Sequence, residues 1–176
     1  MRLTDSPARR MHDVAAFYGN AAFARRCIPI ARGELTDHEA IIWLGGLPGQ
    51  LFLADPRPDQ AYWPRVWAVR ALRYVWDDRS AGAVLEALRD PHWRVREMAV
   101  KICLRRDLGQ ANDLVAGLAQ DETPRVRAAA AWALGEIGEG EHAEALIGLA
   151  DDPDRLVRFR AEQALERISR RLERDF

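Results

Sequence analysis

Lysine is almost missing from this chain. Lys101 is the only one, and every other basic side chain is arginine. With so much alanine beside it, this marks a GC-rich coding sequence and points to a bacterial source, not to a chemistry. Cysteine is scarce too: Cys27 and Cys103 lie far apart in apolar stretches, and neither belongs to a Cys-x-x-Cys pair. That disfavours a disulfide scaffold and a thiolate metal site, and leaves two buried free thiols in a reducing cytoplasm as the expectation. No apolar run approaches the roughly 18 residues of a membrane span. The opening Met1-Arg2-Leu3-Thr4-Asp5-Ser6-Pro7 leads into Arg9-Arg10 without the apolar segment of a secretory signal. Nor is charge of either sign in surplus, for 26 Lys and Arg stand against 27 Asp and Glu, a formal net charge of −1. No global field therefore draws the chain to nucleic acid or to an anionic membrane.

What is present is an ordinary globular balance, 48% apolar and 30% charged over 176 residues. That suffices for one domain with its own core and no metal or disulfide staple. Three segments repeat. Asp90-Pro91-His92-Trp93-Arg94-Val95-Arg96, Asp121-Glu122-Thr123-Pro124-Arg125-Val126-Arg127 and Asp152-Pro153-Asp154-Arg155-Leu156-Val157-Arg158 place a valine every 31 residues. A weaker copy begins near Trp63-Pro64-Arg65-Val66-Trp67. From each valine a stripe of small or apolar residues follows at helical spacing: Ala99, Ile102, Cys103; Ala130, Ala133, Leu134; Ala161, Ala164, Leu165. Asp90, Thr123 and Asp152 are expected to cap these helices, with Pro91, Pro124 and Pro153 as first residues. Gly135 and Gly138 are expected to end the middle one as left-handed caps. A shorter second helix follows each time, around Val84, Leu85 and Leu88, around Leu114, Val115 and Leu118, and around Leu146, Ile147 and Ala150. One such pair cannot hide its own stripe, and stacking does.

Through Asp-Pro before Val-Arg, then Ala and Ala-Leu-Gly, clearest from Val126 to Gly135, the chain resembles the HEAT repeat family. In particular it resembles the short subtype called phycobilisome-lyase HEAT-like repeats. The resemblance spans residues 63 to 176. It implies an all-α fold, an α-solenoid whose helix pairs wind into a right-handed superhelix, with the second helix of each pair lining a concave face. The subtype's name brings no lyase activity with it.

Residues 1–58 do not show the repeat and read as a divergent helical cap packed on the solenoid, with 59–176 as the repeats of a single domain. Helices are expected over Pro7 to Tyr18 and, interrupted by Pro29, over Ala21 to Arg32. A third, Ala40 to Leu44, is opened by a capping box of Thr36 and Glu39 and ended by Gly45, Gly46, Pro48 and Gly49. Asp55 to Asp59 reads as a turn. At the far end, a long helix from Arg155 to Arg174 carries Arg167, Arg170, Arg171 and Glu173 as a polar cap.

Candidate chemistry is thin. HEAT-type hydroxylases of the deoxyhypusine class hold two irons with several His-Glu pairs, whereas this chain has one, His38-Glu39, and the reversed Glu141-His142. No metal, cofactor or catalytic residue is expected. Arg96, Arg127 and Arg158 each follow a repeat valine and read as structural, pairing with the aspartate of an adjacent copy; a phosphate-binding row is the alternative. HEAT-like DNA glycosylases use tryptophans and an aspartate, and Trp76-Asp77-Asp78 has the right residue types, but the second helices are acidic at Asp113, Glu141 and Glu144. Trp63, Trp67 and Trp76 read as core. Trp132 stands where the other copies have Lys101 and Gln163, and Trp93 where they have Pro124 and Arg155, so both are expected on the surface, where tryptophan often anchors a partner.

The expectation is thus a non-enzymatic protein-interaction module. Its contacts are Trp93, Trp132, Gln110, Asp113, Glu141, His142 and Glu144, its partner is another protein, and a homo-oligomer is left open. An accessory lyase or isomerase working on a bound cofactor or chromophore would need Cys27, His38 or Cys103. Nucleic-acid binding would need the arginine rows.

Overall fold

The computed structural model describes residues 2–173, and every regular element among them is helical. Arg174, expected on the last helix, lies outside the described residues. Eleven α-helices follow in order: α1 Pro7–Tyr18, α2 Asn20–Ala31, α3 His38–Gly45, α4 Leu47–Ala54, α5 Trp63–Ala71, α6 Ser80–Ala87, α7 Trp93–Arg106, α8 Asn112–Gly117, α9 Pro124–Ile137, α10 Ala143–Ile147 and α11 Arg155–Leu172. Single 3-10 turns stand at Pro58–Gln60, Gly109–Ala111, Leu118–Gln120 and Gly140–His142. Among the described residues no helix is long and apolar enough to cross a membrane. The chain divides into two compact units, Met1–Met98 and Ala99–Phe176.

In the first unit, α1 starts as its sequence dictates. Ser6 caps it by accepting the Arg9 amide, and Pro7 takes a first-turn position whose missing N–H costs nothing. Val14, Phe23, Cys27, Ile30, Ile41, Leu44, Val69 and Leu72 form a core closed to solvent. Arg10 is buried with it. Its guanidinium donates to the Trp43 carbonyl at 2.9 Å and the Leu44 carbonyl at 3.0 Å, and also to the Asp5 carbonyl. The Trp43 and Leu44 carbonyls are orphan acceptors at the end of α3, where a cation also meets the negative end of the helix dipole. Arg70 reaches the same Leu44 carbonyl at 3.3 Å. Burial pushes both guanidinium pKa values down.

Two local expectations shift here. The cap of α3 is Asp37, not Thr36: its carboxylate accepts the Ala40 amide at 3.0 Å and grips Arg26 at 2.7 Å. Glu39 therefore falls in the first turn, where it binds Arg26 and the Tyr18 hydroxyl instead of closing a box. The Gly45-Gly46 pair ends α3 as expected, but Pro48 and Gly49 belong to a new helix. Gly46, at φ +64°, turns the chain, and α4 restarts at once with Pro48 in its first turn.

In the second unit α9 packs along α11. Val126, Ala130, Ala133 and Leu134 face Val157, Ala161, Ala164 and Ile168, all buried. Gly135 lies inside α9, not at its end. A Cβ there would stand 2.8 Å from both Cα and Cβ of Ala164, so this glycine serves close helix approach. Gly138 is extended, at φ −71° and ψ 157°, not left-handed.

The repeat's opening turn also differs from expectation. Asp90, Asp121 and Asp152 do not sit at the N-cap. Each accepts the amide two residues on, from His92, Thr123 and Asp154, all at 2.8 Å, and so forms an Asx turn. The helix starts later. Asp154 is the true cap of α11, accepting the Leu156 and Val157 amides. α9 does start at Pro124 after Thr123, though without a cap bond from the threonine side chain. Arg127 then ties the copies together, as expected, through a two-pronged ion pair with Asp152 at 2.7 and 2.9 Å. Arg65 makes the same pair with Asp90 two registers earlier.

A candidate partner-binding groove

Four of the expected contact residues open the second helices, Gln110 and Glu141 on the 3-10 turns before α8 and α10, Asp113 and Glu144 in their first turns. Counting by 31, Gln110 corresponds to Glu141 and Asp113 to Glu144. In the second unit a shallow groove of about 640 Å³ runs between α8 and α10. Ala116, Ala119, Ala145 and Ile147 supply its apolar surface, and Glu141, His142 and Glu144 its polar edge. Asp113 joins that edge through His142. Gln110 is exposed on the turn before α8 and is not part of the lining.

His142 is buried, unlike the carboxylates around it. Its Nδ1 accepts the Glu139 amide at 2.9 Å and so carries no proton. The proton of the neutral ring is on Nε2, which donates to Asp113 Oδ1 at 3.2 Å. Glu139 accepts in return, closing a capping box at the start of the Gly140–His142 turn. Ligand atoms of Asp113, Glu141 and His142 all fall within 4.8 Å of one another, a spacing open to a metal ion. The donor set does not fit one. A metal-bound histidine gives its second ring nitrogen to an acceptor, whereas here that nitrogen receives a backbone N–H and the outward nitrogen keeps its proton. What remains is two solvated carboxylates.

The tryptophans are less bare than expected. Trp132 is half-buried on α9, and two guanidiniums of α11 lie over its ring, Arg160 at 4.4 Å and Arg167 at 4.1 Å. Trp93 is also half-buried, with Arg94 over its ring at 4.4 Å and His92 lying nearly parallel. Cation–π cover of this kind takes up ring faces that a partner would otherwise use. Of the residues expected in the core, Trp67 is buried, but Trp63 and Trp76 are only half so. Ile147 was read as one of the apolar residues of the last second helix. It is 49% exposed and lies in the groove.

Most residues that other chemistries would need are committed elsewhere, although His38 is exposed at the start of α3. Cys27 and Cys103 are fully buried free thiols. Burial raises both pKa values, that of Cys103 to about 12, so neither presents a thiolate to a cleft. Arg96 donates to the carbonyls of Asp90 and Pro91, and Arg127 and Arg158 to the matching carbonyls of their own copies. Asp77 is held by Arg25 at 2.8 Å and by the Arg79 amide, which together keep its carboxyl below the usual range.

Residues 83–166 match the family of HEAT repeats. The match runs from α6 into α11, just under half of the chain, and takes in both helices that line the groove. It supports reading this as a HEAT repeat protein. HEAT repeats are generally modules for protein interaction. No curated protein matches the chain.

Proposed function

We propose that the protein is a non-enzymatic interaction module in which the second helices of the HEAT repeats hold a segment of another protein. The observation that carries this reading is the groove between α8 and α10. Its apolar lining includes the half-exposed Ile147, and its edge carries Glu141 and Glu144. Asp113 adds a third carboxylate, its side chain 94% exposed. An apolar strip edged by one sign of charge suits an extended basic segment, whose arginine or lysine stems cover the strip while their heads meet the carboxylates. Gln110 extends this edge on the preceding turn. Trp93 and Trp132 enter only by the ring edges their arginines leave uncovered.

The repeats are taken as an α-solenoid wound to the right, with residues 1–58 as its terminal cap. Two buried free thiols suit a reducing compartment such as the bacterial cytoplasm. Affinity capture from source-cell extract tests the function, comparing the wild type with a Glu141→Lys/Glu144→Lys variant and a Trp93→Ala/Trp132→Ala variant. Charge reversal is expected to remove a specific partner that the wild type retains at moderate salt. Retention of the same partner by the reversed variant would defeat the groove reading. Loss only in the tryptophan variant would move the contact to the aromatic positions.

A further inference from the structure

The first unit holds a second concave site, built from different chemistry. A cavity of about 540 Å³ opens between α4, the 55–60 turn and α5. Phe52 and Trp67, each 6% exposed, make its floor. Their rings meet edge to face at 6.3 Å, and Trp63 lies nearly parallel to Trp67 at 6.1 Å. The floor is rigid, because a Cβ on Gly45 would stand 2.8 Å from the Trp67 ring: the indole lies directly against the backbone of α3. Leu51 forms the wall and is 60% exposed, a large apolar side chain left in water beside an apolar hollow. The rim carries Asp55 and Arg57. Among the described residues no side chain pairs with either.

We propose that this cavity binds a flat, uncharged aromatic small molecule. The volume lies in the usual range for small-ligand sites, and the rings that line it are already fixed in place. Arg94 lies over the Trp63 ring at 5.3 Å, so the guest packs against the parts of Trp63, Phe52 and Leu51 that stay open, and an aromatic guest gains burial and ring contact there. The rim decides the charge. One carboxylate and one guanidinium, two residues apart, give it no net sign. An ionic guest would therefore meet one like charge and lose its hydration, whereas a neutral guest meets one acceptor and one donor. The inference stands on the first unit alone and survives if the groove of the second unit binds nothing.

The test compares two fluorescent probes that share a ring system. N-phenyl-1-naphthylamine is neutral, and 1-anilinonaphthalene-8-sulfonate adds an anion. The neutral probe is expected to bind the full chain at micromolar concentration with one site, and the sulfonate at least fivefold more weakly. Leu51→Glu, at an exposed position, is expected to weaken the neutral probe at least tenfold with an unchanged circular dichroism spectrum. Trp63→Ala should weaken it too, and Ile147→Glu, in the other groove, should not. Failure of the neutral probe to bind, or equal binding by Leu51→Glu, overturns the site. Sulfonate binding that matches or exceeds the neutral probe overturns the uncharged guest. A wild-type dimer in sedimentation that Leu51→Glu converts to monomer would give the cavity to a second copy and likewise overturn the proposal.

Discussion

Asp152 shows how much one repeated side chain does. One oxygen closes the turn by accepting the Asp154 amide, and both are gripped by Arg127. Only 5% of its side chain and 13% of that of Arg127 is exposed. The guanidinium, more than any other cause, holds the carboxyl below the ordinary range. A carboxyl with a depressed folded pKa stabilises the fold fully above its unfolded value, about 4, and loses that contribution as pH falls through the folded value. Asp152→Asn keeps the turn acceptor but breaks the ion pair. It is expected to cost about 3 kcal/mol at pH 7, read by urea denaturation. The gap from wild type should narrow at pH 3, because the unfolded wild-type chain takes up a proton there that the ion pair keeps off the native carboxyl. An unchanged gap at pH 3 would show that the pair contributes through shape and not through charge. Arg65 and Asp90 repeat the ion pair with Arg65 19% and Asp90 8% exposed, so Asp90→Asn is expected to cost stability at pH 7 as well, by a smaller amount.

At the scale of the helix, two glycines make opposite demands. Gly135 touches Ala164 of α11, and any side chain there drives backbone against backbone. Gly135→Val is expected to destabilise the second unit by about 1–3 kcal/mol or more. Gly82 stands inside α6 with nothing within 4 Å of its missing Cβ. Gly82→Ala is expected to add about 0.5–1 kcal/mol through helix propensity alone. Denaturant midpoints of the two variants should move in opposite directions. The same two positions explain what was legible in advance. The apolar stripe from Val95 to Ala164 is readable because burial recurs at helical spacing, and the paired helices follow from it. Glycine is ambiguous, for it ends one helix and lets another approach its neighbour, and only packing tells which. That ambiguity hid α4, where Gly49 fits against the Ile41 carbonyl and Pro48 opens a helix that reads as a breaker. The caps slipped by two residues because an aspartate before proline suits an Asx turn as well as an N-cap. Glu141 and Glu144 were legible as polar positions on a second helix, but Ile147 was not, since its periodicity matches the core while its surroundings are open. The aromatic cavity could not be read at all, because α4, a turn and α5 each supply only part of it.

At the scale of the whole chain, the molecule keeps its reactive groups out of reach. Both thiols are buried, one in each unit, and His142, set beside Asp113 and Glu141, has its outward nitrogen protonated. Ellman's reagent is therefore expected to find neither thiol in the native protein and both after denaturation. Excess EDTA is expected to leave the melting temperature unchanged. Rapid native reaction of a thiol would mean that its core opens on the timescale of mixing. The Arg65–Asp90 and Arg127–Asp152 ion pairs also bear on how such a chain can grow. Each joins an arginine to the aspartate 25 residues later, across the boundary between copies that are themselves 31 residues long. Copying one unit in frame at the DNA level would bring a matching arginine and aspartate to each new junction. A gene of this kind can lengthen by unequal recombination without first inventing an interface, so the number of repeats is a heritable variable that selection can adjust one unit at a time.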